Sequence, residues 1–180
     1  GGLVTVTLRA MTSREIEVGL LAQEIHAGLT YLNHDPLPRM RQAPLSTERY
    51  VFATHVDAPL GGADVVSWED VAREPLCLLH EGMQNRRILD EHLASRRIDI
   101  TPAAVTDSYV TLISMVEAGG LSTIISDSYV PFMAGAAHVR AIPFKDPAPA
   151  NVIGLVVADR PMLPQMSQAA LTAALTLAPR

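Results

Sequence analysis

Three short polar segments stand where an apolar run gives way to a helical pattern, and their side chains and backbone donors could bind a ligand. Short hydroxyl and carboxylate side chains cap helices there, because their oxygen accepts a backbone N–H that the helix leaves without a partner. A helix N-terminus also attracts anions. The pattern therefore predicts either plain helix caps or parts of one binding site for a small polar molecule. The segments are Thr12-Ser13, His80–Asn85 and Asp107-Ser108.

The middle segment is the most varied of the three. Gly82 lets the backbone approach a ligand closely, because glycine has no Cβ. Gln84 carries an amide that both donates and accepts, and Met83 stands between the two. Glu81 would repel an anion unless it points away, so a solvated connector is the alternative interpretation. Arg86 is the nearest cation in the sequence, and we expect it to face solvent.

The chain has none of the spacings that mark common catalytic or metal sites. It contains no Gly-x-Ser-x-Gly elbow, His-Glu-x-x-His, Cys-x-x-Cys, Gly-x-Gly-x-x-Gly or glycine-rich phosphate loop. Its six histidines are scattered, and single histidines are more often structural or exposed than metal ligands. We therefore expect no enzyme activity, no cofactor and no metal. A small α/β hydrolase is a weaker alternative, which generic ester substrates would test.

Composition narrows the class of protein. The 180 residues suit one large domain or two small lobes, and 48% hydrophobic with 18% charged residues is ordinary for a globular protein. A net charge of −5 gives no indication, in these residues, of the basic surface that nucleic-acid-binding proteins carry. No apolar run approaches the ~20 residues that span a bilayer, and the N-terminus lacks a signal peptide pattern. Together with the one cysteine, Cys77, which we expect to be buried, this favours a cytoplasmic protein without membrane contact.

Strands and helices alternate along the chain, which predicts an α/β fold. The clearest unit is a strand at Ala103–Val105, a helix at Tyr109–Ala118 capped by Asp107 or Ser108, a stop at Gly119-Gly120 and a strand at Leu121–Ser126. We expect the helix to bury Val110, Ile113 and Val116, with Leu112 beside them. The other predicted strands are Leu3–Arg9, Ile25–Leu32, Arg39–Ala43, Tyr50–Thr54, Pro75–His80, His138–Phe144 and Val152–Ala158. The other predicted helices are Ser13–Gln23, a short one after the cap Ser67, Met83–Arg97 with Ile88, Leu89 and Leu93 inward, Ser128–Met133 and Gln165–Leu177. The cap of the first is either Ser13 or Thr12, and Thr12 has the spacing to Glu15 that a capping box requires.

Two connections complete this prediction. Pro44–Glu48 has the composition of a turn between two strands. The short connection from Leu3–Arg9 through the first helix to Ile25–Leu32 predicts a crossover between parallel strands.

The order of these pieces resembles the effector-binding domain of LysR-type transcriptional regulators, over nearly all 180 residues. The segments that carry the resemblance are Met11–Glu17 with Gly19-Leu20, Ala27–Leu32, Pro44-Leu45 with Glu48–Val51, His55–Leu60, Ser67–Ala72 and Val116–Leu121. Two positions depart from the family pattern: Leu121 stands where the family often has glycine, and Ser126-Asp127 replaces an apolar-Pro ending.

The resemblance implies two Rossmann-like lobes joined by crossing strands, as in type 2 periplasmic binding proteins, with an effector in the cleft. Lobe I would be 1–48 with 145–180, and lobe II would be 49–144. The effector would be a small anionic or zwitterionic metabolite, and the protein a homodimer or tetramer. A solute-binding protein of a transporter, with the same fold, is the alternative. The implied effector-binding residues are Thr12, Ser13, Gly82, Met83, Gln84, Asp107 and Ser108.

The resemblance also implies parts of the family architecture that this sequence does not contain. The helix-turn-helix domain and linker helix of the family have no counterpart here, nor do the first strand and first helix of lobe I. We expect them to precede Gly1, and we expect DNA to be bound only through that helix-turn-helix domain.

Overall fold

The computed structural model describes residues 4–35 and 37–177. Its helices are α1 (Ser13–Leu21), α2 (Trp68–Val71), α3 (Gln84–Ser95), α4 (Tyr109–Glu117) and α5 (Gln165–Leu177), with a 3₁₀ helix at Asp127–Gly135. Its strands are β1 (Gly28–Tyr31), β2 (Met40–Glu48), β3 (Tyr50–His55), β4 (Cys77–Leu79), β5 (Ala104–Thr106), β6 (Thr123–Ser126), β7 (Val139–Pro143) and β8 (Asn151–Ala158). Within the described residues, no helix combines the length and the apolar character needed to cross a membrane.

The chain forms two compact units. The first consists of the described residues of Gly1–Leu45 and Ile153–Arg180, and the second is Ser46–Val152. The chain passes between them twice, once within β2 and once within β8. The predicted lobe boundaries, 1–48 with 145–180 and 49–144, stay a prediction.

The first unit holds a sheet with the strand order β1-β8-β2, and β1 runs antiparallel to β8. Successive side chains of a strand point to opposite faces of the sheet. Val156 of β8 accordingly packs with Ile16 and Leu20 of α1, whereas Val157 packs with Leu171 of α5. The unit therefore has a helix on each face of its sheet.

The second unit combines two sheets. One has the order β6-β3-β7, with both neighbours antiparallel to β3, and Phe52 lies opposite Ile124 and Ile142 at its centre. The other is the parallel pair β4 and β5. The predicted inward face of α3 is confirmed, since Ile88, Leu89 and Leu93 are all buried.

Helix α4 confirms the predicted glycine stop and corrects its predicted buried face. Gly119 and Gly120 have φ of 82° and 86°, a conformation that side chains with a Cβ rarely adopt. Leu112 and Val116 are fully buried, whereas Val110 is 76% exposed. Val110 lies about 200° around the helix from Leu112, at about 100° per residue. The expectation that it would be buried is therefore wrong.

The predicted strand at Leu3–Arg9 is wrong over the residues that the structure describes. Residues 4–9 form no strand, and Val4, Val6 and Leu8 are 60%, 73% and 88% exposed. An alternating pattern makes a strand only where a neighbour supplies backbone partners, and the sheet order β1-β8-β2 leaves this segment out. The predicted parallel crossover is wrong too, because its first strand does not form over residues 4–9 and the described partner of β1 is the antiparallel β8.

The predicted turn at Pro44–Glu48 is also wrong, because β2 runs unbroken from Met40 to Glu48. Proline has no backbone N–H to donate to a neighbouring strand. Because β2 lies at the edge of its sheet, one side of the strand needs no such donor. The ends of the other elements differ from the predicted bounds by a few residues, as is usual for boundaries drawn from sequence patterns.

Cys77 is fully buried in β4, as predicted, and its Sγ lies 3.5 Å from the Sδ of Met115. Burial raises the pKa of this thiol, which disfavours the reactive thiolate. We therefore expect the native chain to resist Ellman's reagent and to react stoichiometrically only after denaturation, as read from absorbance at 412 nm. Equal labelling rates with and without denaturant would contradict this burial.

Candidate functional site

The ends of two parallel strands define the candidate site in the second unit. Leu79 at the end of β4 lies opposite Thr106 at the end of β5, and the N–H of His80 donates to the carbonyl of Thr106 over 2.8 Å. Helix α3 begins after the first strand and α4 after the second, so both N-termini lie at one sheet edge. Ligands in α/β proteins bind at such carboxyl edges. The structure thus brings together the predicted residues Gly82, Met83, Gln84, Asp107 and Ser108.

The turn before α3 is held by its own backbone. The N–H of Gly82 donates to Nδ1 of His80 over 3.0 Å, and the N–H of Met83 donates to the carbonyl of His80 over 2.9 Å. Met83 is the N-cap residue, and no side chain among the described residues caps the helix. Because a helix N-terminus carries partial positive charge, this end of α3 can attract an anionic group. Glu81 is exposed beside it.

Arg86 does not face solvent, so that expectation is wrong. Its side chain is only 12% exposed. The guanidinium donates from Nη1 to the carbonyl of Leu79 and from Nε to Oδ1 of Asp90, each over 2.8 Å. The side chain therefore ties the end of β4 to α3, and its charge is balanced within the fold.

Ser108, rather than the exposed Asp107, caps α4. Its Oγ accepts from the N–H of Thr111 over 3.3 Å, and its own N–H donates to Oγ1 of Thr106 over 3.1 Å. A serine hydroxyl has one proton to donate as well as lone pairs to accept with. Within the described chain, this proton has no acceptor. Ser108 therefore offers a hydrogen-bond donor at the edge formed by β4 and β5.

An aromatic pair lies beside this edge. Tyr109, the first residue of α4, stacks on Tyr129 with ring centroids 3.9 Å apart. Both rings and Met83 pack against the same buried cluster of the second unit. Burial raises the pKa of the Tyr129 phenol, and a hydrogen bond with Tyr109 partly offsets it. Tyr109 and Tyr129 are far apart in the sequence and share no local pattern, so sequence analysis missed the pair.

A buried carboxylate lies in the same part of the second unit. Glu48 is only 2% exposed, and Ser128 donates to its Oε2 over 2.9 Å. Its charge raises the pKa of Tyr129 further, which places it within electrostatic range of the aromatic pair. The aromatic pair therefore lies near a negative charge as well as near the partial positive charge of the helix N-termini.

In the first unit, Thr12 rather than Ser13 caps α1, and it forms with Glu15 the capping box that their spacing predicted. Oγ1 of Thr12 accepts from the N–H of Glu15 over 3.3 Å. Oε2 of Glu15 accepts from the N–H of Thr12 over 2.7 Å and from its hydroxyl over 2.8 Å. These bonds, the one from the backbone most of all, lower the pKa of Glu15. A carboxylate of the protein itself therefore already occupies this helix N-terminus.

Ser13 is also engaged within the first unit. Its Oγ lies 2.9 Å from Oγ1 of Thr30, a buried residue of β1. This hydrogen bond joins α1 to the sheet. Ser13 and Thr12 lie in the first unit and the other five predicted residues in the second. In both units, the described residues include no cluster of histidine, cysteine and carboxylate side chains that could hold a metal ion.

Comparison with known proteins places these features in a family. Residues 2–177 match the model of the LysR substrate binding domain. A search of curated proteins finds no match.

Solved structures with a similar fold include the effector binding domain of QuiR in complex with shikimate, at TM-score 0.77 and 16% identity, over 92% of this chain and 78% of that one. HinK, a LysR family transcriptional regulator from Pseudomonas aeruginosa, matches at TM-score 0.74 and 16% identity, over 94% of this chain and 58% of that one. Full-length CbnR, complexed with its target DNA, matches at TM-score 0.77 and 18% identity, over 96% of this chain and 59% of that one.

At these identities the likeness concerns the fold. The predicted fold class, an α/β fold like that of type 2 periplasmic binding proteins, is confirmed. The chain spans little more than half the length of HinK and of full-length CbnR.

Proposed function

The chain belongs to the LysR substrate binding domain family, and we propose that its binding of a small effector controls how a LysR-type transcriptional regulator binds DNA. The match over residues 2–177 is the observation that carries this proposal. It confirms the resemblance seen in the sequence and favours a regulator over the solute-binding alternative. The family is one of transcriptional regulators, and we propose that the chain itself catalyses no reaction and needs no cofactor.

The proposed effector is a small anionic or zwitterionic metabolite. The start of α3, with no side-chain cap in the described chain, favours an anionic group, and the hydroxyl of Ser108 can donate to it. Tyr109 and Tyr129 supply an apolar wall for the rest of the molecule. The exposed carboxylates of Glu81 and Asp107 favour a positive group. An amino acid, which carries both charges, satisfies both requirements.

We propose that Gly82, Met83, Gln84, Asp107 and Ser108 in the second unit, and Thr12 and Ser13 in the first, contact this effector. Their contributions differ in kind. The hydroxyl of Ser108 has a proton to spare, whereas that of Thr12 already donates to Glu15. Ser13 shares its hydroxyl with Thr30. Of these hydroxyls, that of Thr12 can donate to a ligand only by giving up its bond to Glu15.

The whole protein is proposed to be a cytoplasmic homodimer or tetramer without membrane contact. In this proposal, 1–48 with 145–180 and 49–144 act as the two lobes. DNA is bound by a helix-turn-helix domain outside these 180 residues, since the chain carries a net charge of −5.

A thermal-shift screen of the 180-residue chain against a metabolite library tests the proposed function. A true effector at 100 times its dissociation constant should stabilise the chain by about 2.7 kcal/mol. For a chain of this size, that raises the melting temperature by roughly 5–10 °C. We expect the hits to be carboxylates or amino acids, while the corresponding amides, which lack the carboxylate charge, give smaller shifts at equal concentration. Hits confined to cations or to large apolar compounds would contradict the proposal.

A further inference from the structure

A cavity of about 230 Å³ lies within the first unit, and none of its lining residues is a proposed effector contact. It is a partly open cavity lined by the end of α1, the turn that follows, the end of β8 and the start of α5. Thr12 and Ser13 stand at the other end of α1, about 12 Å away along the axis at a rise of about 1.5 Å per residue. The cavity is therefore separate from the capping box of α1. Its polar lining residues are Gln23, His26, Arg160 and Ser167.

Arg160 gives the cavity a positive charge. Its Nη2 donates to the carbonyl of Leu21 over 2.7 Å, and its own carbonyl accepts from Arg41 over 3.0 Å, so both ends of the residue are held. A guanidinium has five N–H groups, and Leu21 supplies its only acceptor among the described residues. The remaining donors are available to a ligand.

No carboxylate opposes this charge in the described cavity lining. The adjacent acid, Asp159, is bound by Nε of Arg41 over 2.6 Å. Helix α5 also begins here, and the N–H of Gln168 donates to the carbonyl of Pro164 as its first helical bond. The hydroxyl of Ser167 donates to the carbonyl of His26 over 2.8 Å and fixes the start of α5 against the turn. The partial positive charge of this helix end adds to that of Arg160.

The rest of the lining is apolar, and it includes Leu20, Ile25 and Ala158. Leu20 is 3% exposed and Ala158 is 7% exposed, so this part of the cavity is a continuation of the core. An anion that is polar all over, such as phosphate, would leave this surface unused. The volume also lies below the roughly 300–1,000 Å³ of pockets for drug-sized ligands.

We propose that this cavity is a second binding site, specific for a small aliphatic carboxylate. The carboxylate accepts from the guanidinium of Arg160, and the short hydrocarbon part contacts Leu20 and Ile25. The site lies wholly within the first unit and does not depend on the effector contacts proposed for the second unit.

Isothermal titration calorimetry of the 180-residue chain with succinate tests this site. Succinate should bind in a background of potassium chloride at matched ionic strength, while succinamide and inorganic phosphate should bind at least tenfold more weakly. Arg160→Gln should weaken succinate binding about tenfold or more, because it removes hydrogen bonds to a charged group. Arg73→Gln is the matched control. It makes the same charge change at a side chain that is 79% exposed and lies in the second unit.

A second variant tests the cavity without removing a hydrogen bond, because the loss of Arg160 also breaks its bond to Leu21. Ala158→Leu adds volume to the lining and leaves every charge in place, and it should abolish succinate binding. Phosphate binding as tight as succinate would overturn the assignment to carboxylates. Succinate binding that survives both variants unchanged, or no binding by the unaltered chain, would overturn the site.

Discussion

Replacing Trp68 with alanine should lower the free energy of unfolding by about 3–5 kcal/mol, the usual cost of deleting a buried aromatic side chain. Trp68 is 1% exposed, and its ring stacks on Phe144 with centroids 3.7 Å apart. Its Nε1–H donates to the carbonyl of Asp146 over 2.8 Å, and its ring also packs against His92 of α3. One side chain thus joins α2, α3 and the segment after β7. The substitution leaves a cavity and a carbonyl without its donor.

Urea titration followed by circular dichroism at 222 nm measures this loss, since the chain has no tryptophan other than Trp68 to follow by fluorescence. Phe132→Ala is the control, because Phe132 also lies in the second unit but is 75% exposed. Its cost should stay within about 0.5 kcal/mol. If Trp68→Ala cost less than the control, the packing described for α2 would be wrong.

Local features of the fold could be predicted from the sequence because their physics is local. The Thr12–Glu15 capping box depends on residues three apart, and Ser67 caps α2 as predicted. The stop after α4 depends on the conformational freedom of Gly119 and Gly120 alone. The order of these elements was also enough to predict the family.

The errors arose where the structure of a segment depends on a distant neighbour. Val4–Arg9 alternates like a strand, yet no neighbouring strand among the described residues pairs with it. Pro44 lies within a strand because β2 happens to be at an edge. Arg86 is an exception, because its partners Asp90 and Leu79 are only four and seven residues away, and its side chain is 12% exposed. The first two circumstances cannot be read from the residues nearby, whereas the i,i+4 spacing of Arg86 and Asp90 could have indicated their ion pair.

The same limit applies to the candidate site. The sequence identified Thr12, Ser13 and Ser108 as equivalent hydroxyls at helix starts. Hydrogen bonding distinguishes them, because Thr12 gives its proton to Glu15 and Ser13 shares its hydroxyl with Thr30. Ser108 uses only a lone pair, on the N–H of Thr111. Of the three, Ser108 is therefore the residue whose loss should affect the ligand most.

We expect Ser108→Ala to weaken binding of the best compound from the metabolite screen by roughly 10- to 150-fold, or about 1.5–3 kcal/mol, the worth of a hydrogen bond to a charged group. Ser108 stands at the sheet edge where α3 and α4 both begin, so its proton is placed to donate to an anionic group there. The variant also loses the cap of α4. That loss should lower the free energy of unfolding by about 0.5–2 kcal/mol without unfolding the chain.

Ser67→Ala separates the loss of the ligand contact from the loss of the cap. The Oγ of Ser67 accepts from the N–H of Asp70 over 3.1 Å, as that of Ser108 does from Thr111 over 3.3 Å, and both lie in the second unit. Unlike Ser108, Ser67 also donates its proton, to Oδ2 of Asp70 over 2.6 Å. Ser67 starts α2, outside the edge formed by β4 and β5. Urea titration should show at least as large a stability loss for Ser67→Ala as for Ser108→Ala, while calorimetry should show weaker binding for Ser108→Ala alone. Equal changes in affinity would mean that the cap, and not the donated proton, matters to the ligand, and the effector contact at α4 would then be wrong.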